Sequence, residues 1–115
     1  MEMTDWTSQV RRGIMEFCIL LLVSRQPRYG YELVTLLEKW EQLAITEGTL
    51  YPLLRRMQKD NYLESFWQGS DYGPPRKYYS LTAAGAVLLE TMSSEWSLLS
   101  FAVDQIQLYR GEDHL

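Results

Sequence analysis

The stretch that decides the fold runs from Thr46 to Leu81 and reads TEGTLYPLLRRMQKDNYLESFWQGSDYGPPRKYYSL. Thr46 suits an N-cap, and Glu47 places a carboxylate in the first turn, where the helix dipole favours it. Leu50, Leu53, Leu54 and Met57 then recur at helical spacing and form one apolar stripe, which leaves Thr49, Tyr51, Arg55, Arg56 and Lys59 off it. Asn61, a residue that tolerates left-handed backbone, closes the helix. Tyr62 to Trp67 reads as a strand, Gly69 to Pro75 as a loop and Arg76 to Leu81 as the returning strand. A helix with outward arginines followed by a hairpin carrying two cations is the layout of a winged helix-turn-helix, which sets its recognition helix in a major groove and its wing on the backbone or the adjacent minor groove.

Upstream of this stretch, Tyr29 to about Glu41 reads as a helix with Leu33, Leu36, Leu37 and Trp40 inward, and Leu43 to Ile45 as a short link able to lend one strand residue to the hairpin. Two helices with a short connection complete the helix-turn-helix. Before them, Met1 to Asp5 read as frayed and Thr7 to Ser24 as a helix whose apolar residues (Val10, Ile14, Phe17, Leu20 and Leu21 among them) cover more than one face. Such a helix needs more than one partner. Downstream, Thr82 caps a long helix from Ala83 to roughly Arg110, in which Leu89, Met92, Trp96, Leu99, Val103 and Ile106 are spaced 3, 4, 3, 4 and 3, an a/d seam suited to another helix. Leu88, Leu98, Phe101 and Ala102 widen that face, so the helix is also expected to pack on the first one. The expected fold class is mainly α with a small β-hairpin, divided into a winged helix-turn-helix over residues 1–81, a dimerisation helix over 82–110 and a disordered tail over 111–115.

Three motifs, Tyr29-Gly30-Tyr31-Glu32-Leu33, Glu47-Gly48-Thr49-Leu50-Tyr51-Pro52-Leu53, and Gly73-Pro74-Pro75-Arg76-Lys77-Tyr78-Tyr79-Ser80-Leu81-Thr82 with Ala84-Gly85, follow one another along the chain. In order and spacing they resemble the PadR family of bacterial transcriptional regulators, and with the flanking helices the resemblance covers nearly the whole chain. It implies a homodimeric repressor on an inverted-repeat, double-stranded operator. The length and the single last helix resemble the short subgroup of multidrug-responsive repressors, in which flat hydrophobic or aromatic effectors sit between the last helices. The implied mechanism is that an effector alters the separation of the two reading heads, which it can do only by preferring one separation over another.

Composition limits the alternatives. At 115 residues the chain is one small unit with a thin core, so burial shared in an oligomer would add to its stability. The longest apolar run, Phe17 to Val23, is too short to span a bilayer, and no basic stretch with an apolar h-region and cleavage site opens the sequence, so a cytoplasmic protein without membrane association is expected. The single Cys18 excludes an intrachain disulfide and reads as a buried thiol, and the single His114 leaves no Cys/His metal spacing. No nucleophile-base pairing, carboxylate pair or phosphate-binding glycine loop appears, so neither catalysis nor a cofactor is expected.

The net charge of -4 argues superficially against nucleic acid, yet its distribution does not. Residues 46–81 hold five basic and four acidic side chains, a net of +1, whereas the remainder carries -5. Arg11, Arg12, Arg25 and Arg28 would add to the positive face if the fold brought them there. The acidic total also permits a competing reading, a winged-helix module that binds protein and not DNA.

The candidate DNA contacts are Tyr31, Glu47, Thr49, Tyr51, Arg55 and Arg56 on the two helices, and Arg76 and Lys77 on the wing. Taken singly, two arginines on a helix are more often a solvated face; their company decides the reading. Of Tyr78 and Tyr79, alternation makes one core and the other surface. Trp96 is either core or, at a seam that meets its own symmetry mate, one wall of an aromatic slot with Phe17, Gly13, Met92 and Leu99 as lining.

Overall fold

The structure is a computed structural model and describes residues 3–111. In chain order it holds α1 (Met3–Arg25), β1 (Arg28–Tyr29), α2 (Gly30–Leu37), a 3₁₀ turn (Glu41–Leu43), α3 (Glu47–Lys59), β2 (Leu63–Ser70), β3 (Gly73–Leu81) and α4 (Ala83–Leu108). The strands form one antiparallel sheet in the order β1-β3-β2. Helices with a small sheet in this order make a winged helix-turn-helix extended by a long last helix. Of the tail expected over 111–115, all but Gly111 lies outside the described residues, as does His114.

The core forms where five elements turn their apolar residues toward one another. Met15, Ile19, Leu20 and Val23 of α1 meet Leu33, Val34 and Leu37 of α2, Leu50, Leu54 and Met57 of α3, Leu63 of β2 and Tyr79 of β3, all buried. The 3-4 spacing in each helix is what lets every stripe seal against its neighbours. Tyr79 is the core member of the tyrosine pair, and Tyr78 is partly exposed beside it.

The end of α3 shows how local chemistry fixes the wing. Asn61 has φ 66°, the left-handed region, and its N–H donates to the Gln58 carbonyl (3.0 Å) while that of Tyr62 donates to Met57 (2.9 Å). These two bonds satisfy carbonyls that the helix end would otherwise orphan and turn the chain straight into β2. At the wing's far end, Thr82 accepts from the Gly85 N–H (2.9 Å) and donates to the Asn61 carbonyl (2.6 Å). One threonine thus caps α4 and pins it to the corner that starts the wing.

The sequence reading departs from the structure in four places. The first helix begins at Met3, earlier than Thr7, because nothing in the sequence from Thr4 onward interrupts helical geometry. The third strand is Arg28–Tyr29 and not the Leu43–Ile45 link: Tyr29 pairs with Tyr78, while Leu43 closes a 3₁₀ turn. Third, α2 stops at Leu37, and Trp40, expected inward, is exposed, because 3₁₀-type bonds at Lys39 and Trp40 tighten the helix end before it could reach that residue. Last, the wing is longer than expected. The loop shrinks to Asp71 and Tyr72, and Pro74 and Pro75 lie within β3. Between the pairs Gln68↔Arg76 and Ser70↔Gly73, β3 carries one residue more than β2, a bulge at the prolines. Since β1 pairs only with Tyr78 and Tyr79, β3 has a free edge at the prolines, so their missing N–H groups break no ladder.

Candidate nucleic-acid interface

Proline inside α3 exposes how this helix is divided. Buried Leu50, Leu54 and Met57 form one side, while Gly48, Pro52, Arg55 and Lys59, spaced 4, 3 and 4, form an exposed ridge opposite. Pro52 has no N–H to donate to the Gly48 carbonyl one turn back on the ridge. The flanks between ridge and core differ. Tyr51 lies toward the wing, and Thr49, Leu53 and Arg56 toward α1.

On the wing side a cleft of about 650 Å³ runs between α3, the start of α2 and the inner face of the hairpin. It gathers Tyr31, Tyr51, Arg55, Arg76 and Lys77, five of the eight residues singled out from the sequence. Two of its three basic side chains lie over aromatic rings. The Arg76 guanidinium lies 4.6 Å from the centre of the Tyr29 ring, and the Lys77 ammonium 5.7 Å from that of Tyr79. Such stacking restrains flexible cations without neutralising them. Tyr29 is itself braced edge-on by Tyr78 at 5.3 Å, which stacks on Phe66 at 5.7 Å.

Tyr51 is fixed by close packing. A Cβ at Gly30 would overlap its ring, so only glycine at the start of α2 lets that helix approach α3 this closely. Burial pushes the Tyr51 hydroxyl up from its ordinary value, with Glu47 adding to the effect, and burial does the same to Tyr79, where nearby Tyr51 reinforces the shift and Arg55 opposes it. Both hydroxyls therefore remain protonated donors. Across the strand end, Glu32 accepts from the Tyr29 N–H (3.3 Å) and pairs with Arg28 (3.3 Å), whose Nε also donates to the Leu22 carbonyl (3.1 Å). That commitment removes Arg28 from the cations available to a ligand.

Three sequence candidates lie elsewhere. Glu47 is exposed at the helix start and lines neither flank's cleft. Thr49 faces the α1 side, and its hydroxyl accepts from that of Thr46 at 3.2 Å. Arg56 also faces α1, where it pairs with Glu16, and this partner holds its guanidinium pKa even higher than usual. The periodicity put Arg56 off the buried stripe but could not say which flank it joined, because Glu16 lies forty residues away in sequence.

Tyr29, Gly30 and Trp67 belong to the cleft and were not singled out as contacts. The signal for Tyr29 and Gly30 was the Tyr-Gly-Tyr sequence itself; that for Trp67 was its cross-strand pairing with Lys77.

The slot candidates form an open surface in the single chain. Phe17 of α1 and Trp96 of α4 face each other with ring centres 6.4 Å apart, tilted by 48°. Trp96 is 43% exposed and Leu99 59%, Met92 is partly buried at the core's edge, and open space surrounds Gly13.

A winged helix with cations and hydroxyls gathered around an exposed recognition helix defines the class of DNA-binding regulators. The chain matches the model of the Transcriptional regulator PadR-like family over residues 19–91, and it belongs to that family of regulators. Among solved structures it is similar to a PadR-like transcriptional regulator from Bacillus cereus (39% identity, TM-score 0.82, covering 89% of this chain and 99% of that one). Another is a PadR family transcriptional regulator from Eggerthella lenta (32% identity, TM-score 0.80, 92% of each chain). An uncharacterized protein of Lysinibacillus sphaericus is 30% identical over 99 residues, 84% of this chain and 91% of its own. Among the described residues no helix is long and apolar enough to cross a membrane, and no group of His, Cys, Asp and Glu side chains is placed to hold a metal ion.

Proposed function

We propose that the protein is a homodimeric repressor that binds an inverted-repeat operator and is released by a small hydrophobic or aromatic effector. The observation that carries the DNA reading is the convergence of Arg55, Arg76 and Lys77 with the hydroxyls of Tyr31 and Tyr51 on one cleft that, among the described residues, has no carboxylate in its lining. In a chain of net charge -4 such a concentration of cations is a local device. Arg55, on the ridge, is the candidate for base edges, while Arg76 and Lys77 take backbone phosphate.

The dimer is supported by uncovered apolar surface. Beyond Met92, α4 leaves Leu98, Leu99, Phe101, Val103 and Ile106 more than half exposed, and Trp6, Val10, Gly13 and Phe17 make a stripe on α1 at spacing 4, 3 and 4. A second copy covering both stripes would remove this contiguous apolar surface from water. Gly13 leaves a notch in the α1 stripe beside the Phe17–Trp96 pair, and that notch is where a flat effector fits. The effector acts by favouring one spacing of the two recognition helices over another.

Fluorescence anisotropy of the purified protein on the DNA upstream of its own gene, against a scrambled duplex and across a salt series, tests this reading. Specific binding by one dimer per site, weakening steeply with salt, is the expected result. Equal weak binding to both duplexes would favour the protein-binding alternative.

A further inference from the structure

A second basic cleft, of about 490 Å³, lies on the opposite flank of α3 from the wing, between that helix and the N-terminal half of α1. Its floor is apolar, with Met15, Ile45 and Leu53, and its cations are Arg11, Arg12 and Arg56. Among the described residues no Asp or Glu lines either cleft, and together the two clefts take six of the chain's eleven Lys and Arg. The cations of an acidic protein are thus drawn to both sides of one helix.

The three arginines are not equivalent. Arg56 is neutralised by Glu16 and braces α3 against α1. Arg11 is anchored through its Nε to the Gln42 carbonyl at 2.7 Å, and its terminal N–H groups, oriented by that bond, have no partner among the described residues. Arg12 is exposed and has no hydrogen-bond or ion-pair partner among the described residues. At the same cleft the hydroxyls of Thr46 and Thr49 meet at the start of α3, where the helix end is itself positive.

A duplex presents two phosphate strands to a helix in its major groove, one along each flank. The groove is roughly 12 Å wide, and a helix with its side chains spans about 10–12 Å, so both flanks meet backbone at once. The wing supplies cations to one of these strands. We infer that the α1 cleft is the site for the other: Arg12, with the terminal N–H groups of Arg11 beside it, binds a backbone phosphate of the strand opposite the one held by Arg76 and Lys77. This rests on the DNA-binding reading above and extends it to α1, which would make the first helix part of the reading head as well as of the dimer.

The salt dependence of duplex binding tests the inference, because each phosphate contact contributes about 0.9 to the slope of log affinity against log salt. With two copies of Arg12 per dimer, Arg12→Ala is expected to flatten the slope by about 1.8 and to weaken specific and scrambled duplexes by the same factor. Arg12→Lys should restore most of the slope, and Arg25→Ala, outside both clefts, should leave it at the wild-type value. An unchanged slope in Arg12→Ala, or a loss that Arg12→Lys fails to restore, overturns the α1 site while leaving the wing and ridge intact. Wild-type protein that binds no duplex would overturn the DNA reading itself, and the α1 site with it.

Discussion

The recognition helix α3 and the last helix α4 are both amphipathic, yet they have opposite unfinished sides. On α3 the apolar stripe is sealed, with Leu50, Leu54 and Met57 at most 1% exposed, and its polar ridge faces solvent. On α4 the apolar seam is bare from Trp96 onward, with Leu99 59%, Val103 54% and Ile106 71% exposed. An exposed polar ridge beside the restrained cations of the wing calls for a charged ligand, while an exposed apolar seam calls for another protein surface. The same 3-4 spacing serves both, and only the surroundings tell a core stripe from an interface.

Truncation within the sealed stripe should separate the two helices most sharply. Leu54→Ala is expected to cost roughly 2–5 kcal/mol of unfolding free energy, read by denaturant titration, because it opens a cavity among fully buried neighbours. Val103→Asp, on the bare seam, should leave the fold of each chain intact by circular dichroism and shift the protein from dimer to monomer in analytical ultracentrifugation. A monomeric wild type, or a Val103→Asp variant that stays dimeric, would break the contrast.

Where α4 joins the wing, its first turn is as tightly packed as α3. A Cβ at Gly85 would strike the backbone carbonyl of Tyr62, which cannot move aside as a flexible side chain would. Gly85→Ala should therefore destabilise by about 1–3 kcal/mol in the same titration, in spite of alanine's better helix propensity. A neutral result would mean that the corner between α3 and the wing is softer than its hydrogen bonds suggest.

On the polar ridge, Arg55→Ala is expected to cost about 1–3 kcal/mol of operator binding and to reduce the preference over scrambled DNA. Lys77→Ala should instead weaken every duplex alike and flatten the salt slope, because a phosphate contact carries no sequence information. Anisotropy on both duplexes distinguishes these outcomes. Equal losses for the two variants on both duplexes would dissolve the distinction between ridge and wing.

The smallest effect expected is one of pH. Burial raises the Tyr51 and Tyr79 hydroxyls above the ordinary value of 10.0. A group whose folded pKa lies above its unfolded one contributes stability below the unfolded value and loses it as pH rises through the folded one. Thermal midpoints should thus show no tyrosine-linked fall below about pH 10 and decline above it, and Tyr79→Phe should lessen that decline. Burial also raises the Cys18 thiol, so its alkylation should be slower than that of a free cysteine at equal pH.

Much of this architecture was legible in the sequence because it rests on local signals. The α3 stripe, the Asn61 closure, the Thr82 cap and the alternation that buries Tyr79 all lie within a few residues of what they control. What escaped is set by distant partners. The two residues of β1 have no strand period of their own and are fixed by pairing with Tyr78 and Tyr79, half the chain away. Trp40 continued the apolar period of α2, but the helix ended before reaching it. Pro74 and Pro75 read as loop, and only the absence of a neighbour on that edge of β3 lets them join a strand. Likewise the side taken by Arg56 depends on Glu16, whereas Arg55, one residue earlier, falls in the wing cleft.

The most direct test of the central claim, that the solvent-facing side of α3 and the wing cleft form the reading head, is backbone amide chemical-shift mapping of the protein titrated with its upstream duplex. The account predicts the largest changes between Gly48 and Lys59 and between Trp67 and Lys77, with the α4 segment from Leu99 to Ile106 little altered. Changes centred on that α4 segment, with α3 unmoved, would contradict it.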